Sequence, residues 1–240
     1  MSNKIALVFG GTRGIGAACV RRLAQAGFDV ACTYVSSAPD LPANIGAART
    51  RGYKTDIREA AQVNEVFAAV KRDFGGAVHC VVANAGINVP TAPLAQFDPD
   101  NFRKLVEVNI VGAFNVLAAA AREVADGGSI VALTTSMVRH AVPGGGPYTA
   151  SKAAVEGLAR SLARELAARK VRVNCVAPGP VDTDLFHAGK TEEVKARSAA
   201  MSPFNRIGKP EEVAEVVAFL ASDAASWVHG QVIQPNGGMV

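Results

Sequence analysis

The sequence predicts an α/β fold: one doubly wound domain, with a parallel sheet of about seven strands and helices on both faces. Three observations carry this reading. Short apolar runs alternate with longer segments of helical period, and such alternation implies parallel strands joined by crossover helices. The 240 residues are 49% hydrophobic and 19% charged, which excludes a disordered chain. No linker or composition break divides residues 1–240, and roughly 100–200 residues make one domain.

The elements follow in order. Lys4–Phe9 and Asp29–Tyr34 are apolar runs bounded by turn residues, the mark of buried strands, with a helical segment over Gly14–Ala26 between them. Ser36–Gly52 is irregular, because Pro39 and Pro42 lack the N–H a helix needs, and Tyr53–Asp56 reads as a short strand. Helical period returns at Ala60–Phe74, Asn101–Ala125, Tyr148–Arg169 and Glu211–Ala221, and strands at Val78–Ala83, Ser129–Thr134, Val171–Ala177 and Gln231–Pro235. The excursion at 182–209, with one helical pattern over Thr191–Ala200, lies where a substrate lid would sit.

Composition narrows the partners. The 25 basic and 21 acidic residues leave +4 with no basic stripe, so no nucleic-acid partner is expected. Charges punctuate the helical segments, and no membrane span is expected. Met1-Ser2-Asn3-Lys4 runs directly into an apolar strand, so no leader is expected. Cys19, Cys32, Cys80 and Cys175 are far apart, without a Cys-x-x-Cys pair. Neither a metal site nor a disulfide framework is expected, and a cytoplasmic location fits.

Phe9-Gly10-Gly11-Thr12-Arg13-Gly14-Ile15-Gly16 joins the first strand to the first helix. Gly10, Gly14 and Gly16 let the chain turn tightly and let a phosphate approach the backbone. The helix N-terminus adds N–H donors and a positive dipole end. The spacing differs from G-x-G-x-x-G, and an ordinary strand–helix turn is the alternative; its place in the first βα unit favours a dinucleotide. The second strand ends Cys32-Thr33-Tyr34-Val35-Ser36-Ser37, with no acid before Asp40. A carboxylate there would take the ribose 2′-OH of NAD. Its absence, with Arg13 as a cation and Tyr34, Ser36 and Ser37 nearby, predicts NADP(H) over NAD(H).

Tyr148 and Lys152 lie four apart at the start of a helix and share a face. A phenol ordinarily titrates near pH 10, and lowering it by about three units takes roughly 4 kcal/mol. An ammonium about 4 Å away supplies about that at an effective dielectric near 20. Two hydroxyls precede the pair, Thr135 and Ser136. Neighbours on a strand face opposite ways, so one of them faces Tyr148, and the smaller Ser136 has the freer approach.

The combination resembles the short-chain dehydrogenase/reductase family over essentially the whole chain. The resemblance rests on the loop Gly10–Gly16, on Asn84-Ala85-Gly86, on Asn109 in Val106–Ile110, on Tyr148 and Lys152, on Pro178-Gly179-Pro180-Val181-Asp182-Thr183, on Asp56 and Ile57, and on the ending Gly230–Gly238. It implies a Rossmann-type domain and hydride transfer between NADP(H) and a carbonyl. Tyr148 would give the proton, Lys152 would lower its pKa and bind the nicotinamide ribose, and Asn109 would hold a relay water. Asp56 and Ile57 would flank the adenine; Asn84, Ala85 and Gly86 would line the cofactor cleft; Pro178, Gly179, Val181 and Thr183 would grip the nicotinamide half. The family's catalytic serine usually stands thirteen residues before the tyrosine, which is Thr135; Ser136 stands twelve before.

The resemblance further implies a small-molecule or acyl-thioester carbonyl substrate, as for 3-oxoacyl-acyl-carrier-protein reductases, and a homotetramer. A sugar or polyol dehydrogenase, or a non-catalytic NADP-binding protein, are the alternatives. An acidic carrier partner would meet a basic patch, for which Arg103, Lys104, Arg139 and Arg169 are the candidates. Ser36–Gly52 departs from the family in being shorter than its usual helix-bearing segment.

Overall fold

Strand β1 (Ile5–Phe9) is buried throughout, and its alternation explains the layers. Ile5, Leu7 and Phe9 join one core cluster, Ala6 and Val8 the other, because successive strand side chains point to opposite faces. The computed structural model describes residues 3–36, 38 and 40–240. Ser37 and Pro39, invoked above as a donor and a helix breaker, lie outside the described residues.

After β1 come α1 (Gly14–Gln25), β2 (Asp29–Tyr34), β3 (Asn44–Ile45), β4 (Ala48–Lys54), α2 (Ala60–Phe74), β5 (Val78–Ala83), α3 (Pro99–Leu105), α4 (Ala113–Glu123) and β6 (Val124–Leu133). Then follow α5 (Gly146–Glu165), β7 (Arg172–Val176), α6 (Asp184–His187), α7 (Glu192–Ala200), α8 (Pro210–Ala221) and β8 (Val232–Ile233). Among the described residues the sheet has eight strands in the order β3-β4-β2-β1-β5-β6-β7-β8. Seven are parallel; β3 is antiparallel to β4.

Helix α1 packs Ala18, Val20 and Leu23, and α8 packs Val213, Val217 and Leu220, on one face of the sheet. On the other face lie Val63 and Phe67 of α2, Val116 and Leu117 of α4, and Val155 and Leu162 of α5. Each such side chain, fully buried, stabilises the fold by about 1.5–3 kcal/mol.

Three expectations are corrected. The segment Ser36–Gly52 is not wholly irregular, and the strand expected at Tyr53–Asp56 is β4, which begins at Ala48. Ala48 and Thr50 are buried while Arg49 and Arg51 are exposed, the alternation of a half-buried strand. Asp29 secures it: its carboxylate accepts from Arg49 Nε at 2.8 Å and Arg49 N at 2.9 Å. The helix expected to end at Ala125 ends at Glu123, where β6 begins. The helical run Pro99–Glu123 is long and apolar enough to cross a membrane, with mean hydropathy 1.4 over its best window; its apolar stripe Leu105, Ala113, Val116, Leu117 and Ala120 is buried in this fold.

Between α3 and α4 the same run widens into a π turn over Val106–Gly112, a geometry common at functional sites. Segment 182–209 carries α6 and α7, neither with a buried residue.

Candidate active site

The chain runs from β1 outward to β2 and β4, then returns to pair β5 on the other side of β1. A crevice opens beyond the carboxyl ends of the strands at such a reversal. A cleft of about 470 Å³ lies here, lined by Gly10, Thr12, Arg13, Gly14, Ile15, Gly16, Tyr34, Ser36, Asp56, Ile57, Asn84, Ala85, Gly86 and Thr183. Fourteen residues singled out from the sequence thus share one wall system.

The loop fits a dinucleotide phosphate. Gly10 has φ +75°, and a Cβ there would stand 2.9 Å from Ala85 Cα. On Gly16 a Cβ would lie 2.0 Å from Gly10 O, so no larger residue fits. Asn84 Nδ2 donates to Gly10 O at 2.8 Å, and Gly10 N donates to Thr33 Oγ1 at 3.1 Å. Helix α1 begins with no capping side chain and no acid in its first turn, so its positive end is left for an anion. Beside Ile57 in the cleft wall the Arg58 guanidinium grips Asp56 at 2.5–3.0 Å, and this bond holds the Asp56 carboxyl below its usual range.

Pro178, Gly179 and Val181 stand outside the lining of this cleft, whereas Thr183 is part of it. Val181 is buried, Pro178 O accepts from Ser136 N at 2.9 Å, and a Cβ on Gly179 would meet Asn236 Cβ at 3.0 Å. Pro178 thereby braces the turn after β6, while Val181 bridges to Gly208. Thr183 lines the cleft, its Oγ1 accepting from Phe186 N at 3.1 Å and donating to Val181 O at 3.3 Å.

Tyr148 and Lys152 occupy the first two turns of α5. Lys152 Nζ donates to Leu133 O at 3.0 Å. A Cβ on Gly86 would lie 3.2 Å from Lys152 Nζ and 3.1 Å from Asn109 Oδ1, so both groups stand directly behind the cleft wall. Burial pushes Lys152 down to about 8 and Tyr148 up to about 12. The ammonium is turned to a backbone carbonyl, and desolvation by burial outweighs its effect on the phenol.

Asn109 sits in the π turn. Its Nδ2 donates to Ile87 O at 2.9 Å and Ser151 Oγ at 3.1 Å, and its Oδ1 accepts from Ile87 N at 2.8 Å. Both N–H groups serve protein atoms, so the side chain ties β5's exit loop to α5.

The two candidate hydroxyls, Ser136 and Thr135, have different partners. Ser136 is 0% exposed; its Oγ donates to Ala177 O at 2.7 Å and accepts from Asn236 Nδ2 at 3.1 Å. Among the described residues Thr135 Oγ1 only accepts, from Met137 N at 3.3 Å, and its O–H has no acceptor. The candidate basic residues are engaged within the chain: Arg103 with Asp100 at 2.5 Å, Arg139 with Glu156 at 3.0 Å, Arg169 with Asp126 at 2.7 Å, and Lys104 with Asn101 at 3.4 Å.

The profile of the family described as Enoyl-(Acyl carrier protein) reductase matches residues 10–240. A short-chain type dehydrogenase/reductase of Picea abies is 39% identical over 254 residues, covering 100% of this chain and 93% of its own. The chain belongs to the short-chain dehydrogenase/reductase family. Other members similar to it include an NADPH-dependent aldehyde reductase-like protein, chloroplastic, of Arabidopsis thaliana, 38% identical over 257 residues (100% of this chain, 95% of the relative). The 3-oxoacyl-acyl-carrier-protein reductase MabA of Mycobacterium bovis is 38% identical over 236 residues (97% and 91%). A solved short-chain dehydrogenase from Burkholderia cenocepacia in complex with NADP superposes with TM-score 0.89 at 32% identity, covering 98% of this chain and 97% of that one. The chain is thus a short-chain oxidoreductase.

Some members of the dehydrogenase site escaped the sequence reading. Thr33 latches Gly10, Arg58 neutralises Asp56, and Asp184 and Leu185 line the cleft beyond Thr183. Arg58 had a signal, since Asp56-Ile57-Arg58 puts a cation two residues from the carboxylate. Thr33 had none, because its role depends on β2 lying beside the loop.

Proposed function

We propose that this oxidoreductase is an NADP(H)-dependent carbonyl reductase, interconverting a ketone or aldehyde and an alcohol. The observation that carries the reading is the meeting of Lys152 Nζ and Asn109 behind Gly86, at the end of a glycine-cradled cleft. When bound, the dinucleotide supplies the hydride. Tyr148, protonated at neutral pH, gives its proton to the substrate oxygen. Thr135 donates its O–H to the same oxygen as charge builds there, and Lys152 adds its positive charge to that environment. Asn109 keeps the cleft wall and α5 in fixed relation.

Arg13, Tyr34 and Ser36 at the adenosine end, with no acid at the end of β2, support NADP(H) over NAD(H). The relatives named for aldehyde and 3-oxoacyl-acyl-carrier-protein reduction support a ketone, aldehyde or 3-oxoacyl thioester as the substrate class. Residues 1–240 act as one domain, with 182–209 as the substrate lid. A cytoplasmic location rests on the four free, buried thiols, and a homotetramer on the family resemblance.

The test is Tyr148→Phe. Turnover with NADPH across a panel of aldehydes, diketones and 3-oxoacyl thioesters should be abolished, with the NADPH Kd unchanged by fluorescence titration. Near wild-type turnover would remove Tyr148 from the role and the reading with it.

A further inference from the structure

We infer that Glu156 is a positioning residue: its buried carboxylate, through Thr134 and Arg139, holds the Thr135 hydroxyl in register with Tyr148 and Lys152. The inference rests on the carbonyl-reductase reading and extends it to a residue outside the cleft.

Glu156 lies on α5 four residues after Lys152, so it continues the face that presents the catalytic pair. It is 2% exposed, which keeps it from any substrate. Thr134 Oγ1 donates to its Oε1 at 3.2 Å. Arg139 Nη1 lies 3.1 Å from Oε1 and 3.0 Å from Oε2. Arg160 stands at 3.8 Å on the same helix. Thr134 and Arg139 flank the short segment that contains Thr135, so the carboxylate clasps that segment from both ends.

The sheet alone does not set this geometry. Thr134 N donates to Val176 O at 2.8 Å and Ser136 N to Pro178 O at 2.9 Å; these bonds fix the segment to β7 and leave its distance from α5 free. The α5 side is tied by Lys152 at Leu133 O and by Glu156. Stability does not explain the carboxylate, because a buried ion pair is often matched or bettered by apolar residues of similar volume. What an apolar side chain lacks is directed bonds to two separate donors of one loop.

The experiment is a double-mutant cycle on the full chain, following NADPH oxidation with whichever of acetoacetyl-coenzyme A, ethyl acetoacetate and benzaldehyde is turned over fastest. Glu156→Gln should lower kcat about tenfold or more, since a misplacement near 1 Å can cost about a hundredfold, with the NADPH Kd unchanged. In a Thr135→Val background the same change should cost less than about twofold, because coupled residues are non-additive. Equal losses in both backgrounds, or an unchanged kcat in folded Glu156→Gln, would overturn the proposal. If Glu156→Gln does not fold, Arg139→Gln carries the same cycle, its side chain being 38% exposed. Tyr148→Phe is run beside it: an inactive Tyr148→Phe with an additive cycle sinks the Glu156 role alone, whereas an active one sinks the reductase reading.

Discussion

At Thr135 and Ser136 two adjacent hydroxyls meet different fates. The Ser136 O–H is spent on Ala177 O, while Thr135 accepts one backbone N–H and keeps its own proton. Thr135→Val should lower kcat by about a hundredfold, the size of losing one oxyanion donor. Ser136→Ala should retain turnover and lose about 1 kcal/mol of stability with its bond to Ala177; steady-state rates and thermal melts separate the two. Lys152 gives a pH prediction. Its ammonium, lowered to about 8 by burial, is present at pH 7 and lost as pH rises through that value, while Tyr148 stays protonated to about 12. Carbonyl reduction should therefore fall above about pH 8, and Lys152→Arg should move the fall upward, since a guanidinium stays charged past pH 12. A pH–rate profile of both proteins checks this. Which hydroxyl is free was not legible in the sequence: the deciding partner, Ala177 O, is 41 residues away. Glu156 was hidden for the same reason, its partners lying 17 and 22 residues upstream.

Elements were legible where burial is one-sided or complete. The apolar strands and the helices α1, α2, α4, α5 and α8 stand in the sequence because each must hide a stripe or a run from water; α6, with no buried residue, left no such mark. The β4 strand was obscured by Pro42, Gly46 and Gly52, although its Ala-Arg-Thr-Arg alternation was in plain sight. The π turn had no sequence signal beyond Asn109 itself. The phosphate loop was legible because glycine alone fits it, and Gly16→Ala should abolish NADPH binding in a fluorescence titration, as the new Cβ would lie 2.0 Å from Gly10 O. Strand starts carry a different device. His79 Nδ1 accepts from Ile5 N at 3.1 Å, which requires a neutral ring. Burial, aided by Lys4, lowers the His79 pKa, so the unfolded chain binds a proton first, near pH 6.5. Stability from this site is full above that value and is lost as pH falls from it toward the lower folded pKa. Melting temperature should drop between pH 7 and pH 5, and His79→Gln should flatten that dependence.

For the whole molecule, the cleft predicts a thermal signature. A ligand at 100 times its Kd stabilises the folded state by about 2.7 kcal/mol, which for a chain of this size raises Tm by about 5–10 °C. NADPH should give that rise, and NADH a smaller one at equal concentration; the reverse order would defeat the cofactor preference. Assembly has a surface to match: Phe102 and Phe114 on the long helical run are about half exposed, and Trp227 before β8 is 97% exposed. The homotetramer proposed from the family resemblance would give such side chains a partner, and light scattering should return a tetramer.

One small feature governs how far the chain can be trimmed. Strand β3 closes the first residues of β4, pairing Asn44 with Arg49 and Ile45 with Ala48 across the Gly46 turn, and the exposed Arg51 and Lys54 guard the remainder. An engineer shortening this loop to gain heat tolerance would bare a row of backbone donors and acceptors, and open strand edges recruit foreign chains. Such a truncation should trade a higher melting point for fibrillation, whereas lengthening the hairpin at its tip should leave solubility intact.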